Sequence, residues 1–275
     1  MPIIIRVGDY QLSSYVAMIA LAAVVWVYCF KQYESKLGLV RREDFWVLVN
    51  ITGFAGFLGG RLFCLFSNPP ALPGLGSYAA ALVSNQTGLS TFGALLGVAA
   101  GLFGACRHLK INFLRVLDYV CLAIPVGHAI ARIGCFLTGC CYGRAVDDHL
   151  PWSVVYTDKS AALPPNLLGV ALHPTQLYEA AGDLVVAGLL YLFVRPLVEK
   201  GRFGHGLVCA GYVAGYGLLR YVSEAFRGNP ELLPGTTVPL AQIFSLVLLL
   251  VAGVLLLHAA RSRQVTDPNP STSTP

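Results

Sequence analysis

Five arginines stand in or at the ends of long apolar runs: Arg61 in FLGGRLFCLF, Arg132 in HAIARIGCF, Arg144 in GCCYGR, and Arg220 and Arg227 in YGLLRYVSEAFR. A guanidinium at membrane depth must face a cavity or pair with an anion. Its planar donor fork binds two phosphate oxygens at once, and burial does not strip its charge. Any one of the five could pair with Glu179 or Glu224, or snorkel to the interface. Taken together they point to an anionic headgroup. A second polar group, His173-Pro174-Thr175-Gln176-Leu177-Tyr178-Glu179, opens a later apolar run. Proline near a helix start and glutamate in the first turns suit an ordinary capped helix. Histidine, glutamine, tyrosine and glutamate together are more polar than a cap requires.

Cysteines are a third candidate. Cys29, Cys64, Cys106, Cys121 and Cys209 are scattered in or beside apolar runs, where cysteine behaves as a small hydrophobe. Cys135, Cys140 and Cys141 lie close together in RIGCFLTGCCYGR. Packing, a disulfide between Cys135 and one of the pair, and nucleophilic or redox chemistry are the three readings, in that order. Adjacent cysteines chelate one tetrahedral ion poorly and no second pair of usual spacing exists, so no metal is expected.

The elements that must position these residues are membrane spans. With 275 residues, 56% hydrophobic and 12% charged, the chain has too few solvating groups for a water-soluble surface. Runs of about 20 apolar residues mark spanning helices. Seven stand out: Leu12 to Phe30, Phe45 to Phe66, Gly88 to Cys106, Phe113 to Phe136, Thr175 to Val194, His205 to Val222 and Pro239 to His258. The fold expected is therefore an all-α polytopic membrane protein of about seven transmembrane helices, residues 1–263 forming one transmembrane domain. The Pro/Ser/Thr-rich tail, 264–275, is expected to be disordered. Gly93, Gly97 and Gly101 recur every four residues, which lets a neighbouring helix approach closely.

Orientation follows from Lys and Arg. They crowd the first connection (Lys31, Lys36, Arg41, Arg42), the third (Arg107, Lys110, Arg115), the fifth (Arg195, Lys200, Arg202) and the tail (Arg261, Arg263). The second connection, Ser67 to Thr87, has none, and the fourth sets Arg144 and Lys159 against Asp147, Asp148 and Asp158. This predicts the N-terminus outside and the C-terminus cytoplasmic. Positive charge follows the first run instead of preceding it, so that run reads as an anchor and not a cleavable signal. The net charge of +5 is then a topology device and implies no nucleic-acid partner.

These residues resemble the prolipoprotein diacylglyceryl transferase family, bacterial inner-membrane enzymes that move diacylglycerol from phosphatidylglycerol to a lipobox cysteine. Ala131 to Arg144 (ARIGCFLTGCCYGR) is similar to the family signature GRIGNFINGELYGR. Gly60-Arg61-Leu62, Gly88 to Gly97, His173 to Glu179, and Tyr216 to Arg220 with Glu224 and Arg227 match in the same order over most of the chain. The resemblance implies that Arg132 and Arg220 are the critical arginines, Tyr216 their neighbouring tyrosine, Gly143 the signature glycine and Tyr15 the tyrosine of the first span. It departs where the family has a histidine in GMSFHGG and this chain has Phe92, and where Cys135 and Cys140 replace asparagine and glutamate.

The implied reaction takes phosphatidylglycerol and a prolipoprotein signal peptide as partners within membrane lipid, and needs no cofactor. Arg132 and Arg220 hold the phosphate, assisted by Arg61, Arg144 or Arg227, and Tyr15, Gly143, His173, Gln176, Glu179 and Glu224 line the substrate site. The base is His128, which shares a helix face with Arg132 four residues on, or His173, or Glu224. A multi-pass location in the bacterial inner membrane follows. Alternatives are transfer of a lipid-derived group to another acceptor, a non-catalytic lipid-binding protein, and a membrane thiol oxidoreductase using the three clustered cysteines.

Overall fold

The computed structural model describes residues 3–7, 10–39, 41–67, 75–83, 90–146, 150–230, 232–233 and 235–262. A short antiparallel hairpin, β1 (Ile3–Val7) and β2 (Tyr10–Ser13), leads directly into α1 (Ser14–Lys31). Then follow α2 (Asp44–Ser67), α3 (Leu75–Val83), α4 (Thr91–Leu109) and α5 (Phe113–Thr138). A two-residue ladder of β3 (Val154–Val155) and β4 (Ala171–Leu172) precedes α6 (Thr175–Leu189). That helix continues through a π turn, Leu190–Val194, into α7 (Arg195–Glu199). The last two helices are α8 (Leu207–Glu224) and α9 (Leu240–Arg261).

The described part of each of the seven apolar runs is mostly helical, although the first begins within β2, and the all-α membrane class holds. Among the described residues, five stretches are long and apolar enough to cross a membrane by length and composition: α1, α2, α5, Thr175–Glu199 and α9, with Gly93–Leu109 a shorter apolar helix. The chain is a multi-pass membrane protein. The two short ladders, β1–β2 and β3–β4, and the helix α3 were not anticipated. The hairpin is too short to announce itself, and α3 falls in the connection between the second and third runs because nine residues cannot span a bilayer. The expected tail, 264–275, and Asp147 and Asp148 lie outside the described residues.

Polarity runs inside out relative to a soluble protein. Leu246, Val247, Leu250, Val254 and Leu257 of α9 are exposed, as are Phe54, Phe57 and Phe66 of α2. Asp118, Gln176, Glu179, Asp183 and Glu224 are buried. Lipid tails solvate leucine as well as a protein core does, whereas an ionised carboxylate needs partners from its own chain.

The chain divides into two compact units. In the unit Lys31–Val116, α2 and α4 approach closely along their small residues. A Cβ added at Gly101 would lie 2.6 Å from that of Ala55, and one at Gly59 would lie 2.9 Å from the Cα of Gly97. The four-residue glycine spacing thus serves helix contact, as its pattern suggests.

The other unit comprises Met1–Phe30 and Leu117–Pro275. Its α8 packs against α6 and α9. Asp118 of α5 fixes the start of α8: its carboxylate accepts hydrogen bonds from Gly206 N at 2.8 Å and Cys209 N at 2.9 Å. A buried anion there satisfies amides with no intrahelical partner and faces the positive end of the helix dipole.

Candidate functional site

Three helices of the larger unit each turn one polar stripe toward the others. On α5 the stripe is His128, Arg132 and Cys135; on α6 it is Gln176, Glu179 and Asp183; on α8 it is Tyr216, Arg220 and Glu224. Spacings of three and four residues keep each set on one helix face. Arg227 follows α8 after a tight turn.

Glu179 is the hub. Its Oε2 lies 2.5 Å from Arg132 Nη2, while its Oε1 lies 3.4 Å from Arg227 Nη1 and 3.9 Å from Arg220 Nη1. Glu224 Oε2 is 2.6 Å from Arg220 Nη1 and 3.9 Å from Arg227 Nε. The two glutamate side chains are 2% exposed and the three arginines 13 to 17%. Three guanidinium groups thus face two carboxylates, leaving one formal positive charge over. The carboxylates orient the donor forks without cancelling them.

Beside this network His128 Nδ1 stands 2.7 Å from Asp183 Oδ2. The imidazole is 25% exposed and Asp183 only 1%. The ring meets that of Tyr216 edge to face, centroids 5.5 Å apart, and Tyr216 stacks on Tyr212. Tyr15 of α1 is 38% exposed, and a Cβ added at Gly134 would lie 3.7 Å from its Cδ2, one residue from Cys135.

The segment after α5 is pinned from two sides. Gly143 N donates to His173 O at 3.1 Å and Arg144 N to Phe226 O at 2.8 Å, so the loop forms bridges to both neighbouring strands of chain. A side chain at Gly143 would put Cβ 2.5 Å from His173 Cβ and 2.9 Å from Phe226 O. Only glycine fits. Thr175 Oγ1 donates to Cys141 O at 2.9 Å and Gln176 Nε2 to Cys140 O at 2.7 Å. Thus the residues opening α6 hold the cysteine turn against the arginine network.

His173 and Arg144 join an adjoining aromatic group instead of the ion network. His173 Nδ1 lies 3.1 Å from Tyr178 Oη, which also accepts from Trp152 Nε1 at 2.8 Å. Phe226 packs on His173 and receives the Arg144 guanidinium over its ring at 5.8 Å. Partial burial and the positive charge of Arg144 push the His173 imidazole below its ordinary pKa. At the outer edge of this loop region, Asp158 is held below the usual carboxylate range by the Ser160 backbone N–H, 2.8 Å away.

Cys135, Cys140 and Cys141 have their sulfur atoms within 4.8 Å of one another, and all three are free thiols. Arg61 belongs to the unit Lys31–Val116, where its guanidinium lies over the Phe57 ring. The side chain of Phe92, in the first turn of α4, lies outside the described residues. Asp183 was missed by the sequence reading, as was Asp118. Each is an acid inside an apolar helix, Asp183 one turn beyond Glu179, which is itself a functional signal.

Fold and site together define a helical, multi-pass membrane protein whose interior polar residues gather around arginines in excess of their carboxylate partners. Comparison with known proteins gives this class its family. The sequence profile of prolipoprotein diacylglyceryl transferase matches residues 2–258, and the chain belongs to that family. It is 31% identical over 238 residues to the phosphatidylglycerol–prolipoprotein diacylglyceryl transferase of Clostridium tetani, covering 84% of this chain and 86% of the relative. The proteins of the same name in Photorhabdus laumondii and Azoarcus are each 30% identical, covering 96% and 95% of this chain and 93% and 96% of theirs.

Proposed function

We propose that this chain transfers the diacylglyceryl group of phosphatidylglycerol to the lipobox cysteine thiol of a prolipoprotein, releasing glycerol phosphate, in the bacterial inner membrane. The observation that carries this reading is the convergence of Arg132, Arg220 and Arg227 on Glu179 and Glu224, with one positive charge unmatched. A phosphodiester carries one negative charge and supplies the missing anion.

Arg132 and Arg220 grip the phosphate, each held in place by a buried glutamate, with Arg227 beside them. Tyr15, Gly143, His173 and Gln176 shape the substrate site around them. The acceptor sulfur attacks the glyceryl carbon, and the C–O bond to phosphate breaks with its electrons on oxygen. The growing charge falls where low dielectric makes fixed guanidinium groups most effective. His128, oriented by Asp183 and packed on Tyr216, receives the acceptor's proton. Seven spans with the N-terminus outside accord with seven helical runs and with the Lys/Arg distribution, and they put the arginine network toward the outer leaflet.

The test is complementation of a bacterium depleted of its own transferase, scored by lipoprotein modification, together with glycerol phosphate release by the purified protein. Growth and release, both lost in Arg132→Ala, are expected. Phosphatidylglycerol binding without release would overturn the enzymatic reading.

A further inference from the structure

The Cys135, Cys140 and Cys141 cluster has no part in the phosphate site, yet it is attached to it. Cys135 lies three residues beyond Arg132 on the same face of α5, and the carbonyls of Cys140 and Cys141 are bound by Gln176 and Thr175, one turn before Glu179. Neighbouring residues in extended or helical chain point their side chains apart, which is why a CysCys pair chelates poorly. Here the backbone removes that obstacle. Gly139 turns the chain out of α5 with φ +75°, and Cys141 itself takes φ +57°, a left-handed conformation uncommon for a residue bearing a side chain. This turn brings three sulfurs within 4.8 Å of one another. Tetrahedral zinc at about 2.3 Å from each sulfur needs them about 3.8 Å apart, about 1 Å inside the 4.8 Å that bounds the three. Strain of this kind, kept at a cluster of ligating atoms, points to a function for the turn.

We propose that Cys135, Cys140 and Cys141 form a three-thiolate zinc site whose open fourth position takes the sulfur of the acceptor cysteine. The inference rests on the transferase reading above and deepens it. Three protein ligands with one vacant position is the pattern of a catalytic zinc centre, whereas structural sites are closed by four. Sulfur coordinated to zinc is deprotonated outright, which suits a chain that carries Phe92 where the resemblance would put a histidine. As the acceptor S–H binds the metal, its proton is released to bulk water. The zinc-bound sulfur then forms the S–C bond to the glyceryl carbon, and the C–O bond breaks with its electron pair on the departing glycerol phosphate. The thioether product is a poor zinc ligand and dissociates, and no electron is gained or lost by the metal.

Purified full-length protein in detergent should retain about one zinc ion per chain, with affinity at least about tenfold weaker in Cys141→Ser and Cys140→Ser. Protein reconstituted with Co2+ should show thiolate-to-cobalt charge transfer and tetrahedral d–d absorption. A lipobox peptide should shift that spectrum, and the same peptide with serine for cysteine should not. Zinc retained equally by the triple serine variant, two of the three cysteines joined as a disulfide, or a cobalt spectrum indifferent to the peptide thiol would each overturn the proposal. The cobalt readout needs no phosphatidylglycerol. A peptide-dependent shift in a protein that releases no glycerol phosphate would therefore sink the transferase reading and leave the metal site standing, and the reverse result would do the opposite.

Discussion

Arg132 of α5 and Glu179 of α6 meet at 2.5 Å, and the second oxygen of the same carboxylate faces Arg227 and Arg220. One buried anion therefore sets the positions of three cations drawn from separate segments of chain. Replacing it by the isosteric Glu179→Gln leaves the guanidinium groups repelling one another at low exposure. A loss of about 3 to 5 kcal/mol is expected, read as a lowered Tm in detergent, with transfer lost alongside. Added phosphatidylglycerol should recover part of the stability, because its phosphate restores an anion.

Arg132→Lys keeps the charge but removes the planar fork. A fall of about 100-fold in kcat is expected, with a smaller effect on the KM for phosphatidylglycerol, since a point charge still attracts the headgroup. Comparison of initial rates for the lysine and alanine variants separates fork geometry from charge.

Asp183 Oδ2 lies 2.7 Å from His128 Nδ1. Asp183→Asn should reduce kcat at least about tenfold while leaving the KM for phosphatidylglycerol unchanged, and Asp183→Glu should restore part of the rate. If His128→Ala leaves transfer rates unaltered across pH while Arg132→Ala abolishes them, the base is elsewhere and the phosphate site remains.

Gly143 has no room for a methyl group between His173 and Phe226. Gly143→Ala should destabilise the protein by about 1 to 3 kcal/mol, seen as a lower Tm, and should displace the cysteine turn that precedes it.

The depressed pKa of His173 has a definite sign. The unfolded chain takes up this proton more readily than the folded one, so stability is complete above an ordinary imidazole pKa of about 6.5 and declines as pH falls from there toward the folded value. Thermal unfolding measured from neutral to mildly acidic pH should show a shallower decline in His173→Gln than in the parent protein.

The arginines were legible in the sequence because a charge in an apolar run is conspicuous against its neighbours, and their partners Glu179 and Glu224 followed from the same rule. The apolar helices were legible for the complementary reason. What the sequence did not disclose depends on conformation instead of residue type. Asp183 reads as an isolated acid until α6 is packed beside α5, where it meets His128. Cys140 and Cys141 read as a pair pointing apart until the left-handed turn at Cys141 is known. Arg144 was grouped with the other arginines and His173 with the polar residues opening α6, and ring contacts with Tyr178 and Phe226 join the two in one cluster.

The clamp of Asp118 on Gly206 and Cys209 lies about 20 Å along α8 from Arg220, at 1.5 Å per residue. That helix is fastened at one end and bears Tyr216, Arg220 and Glu224 near the other. A small tilt at the fastening is magnified at the tip, so the direction in which Arg220 points depends on a distant carboxylate that takes no part in the ion network.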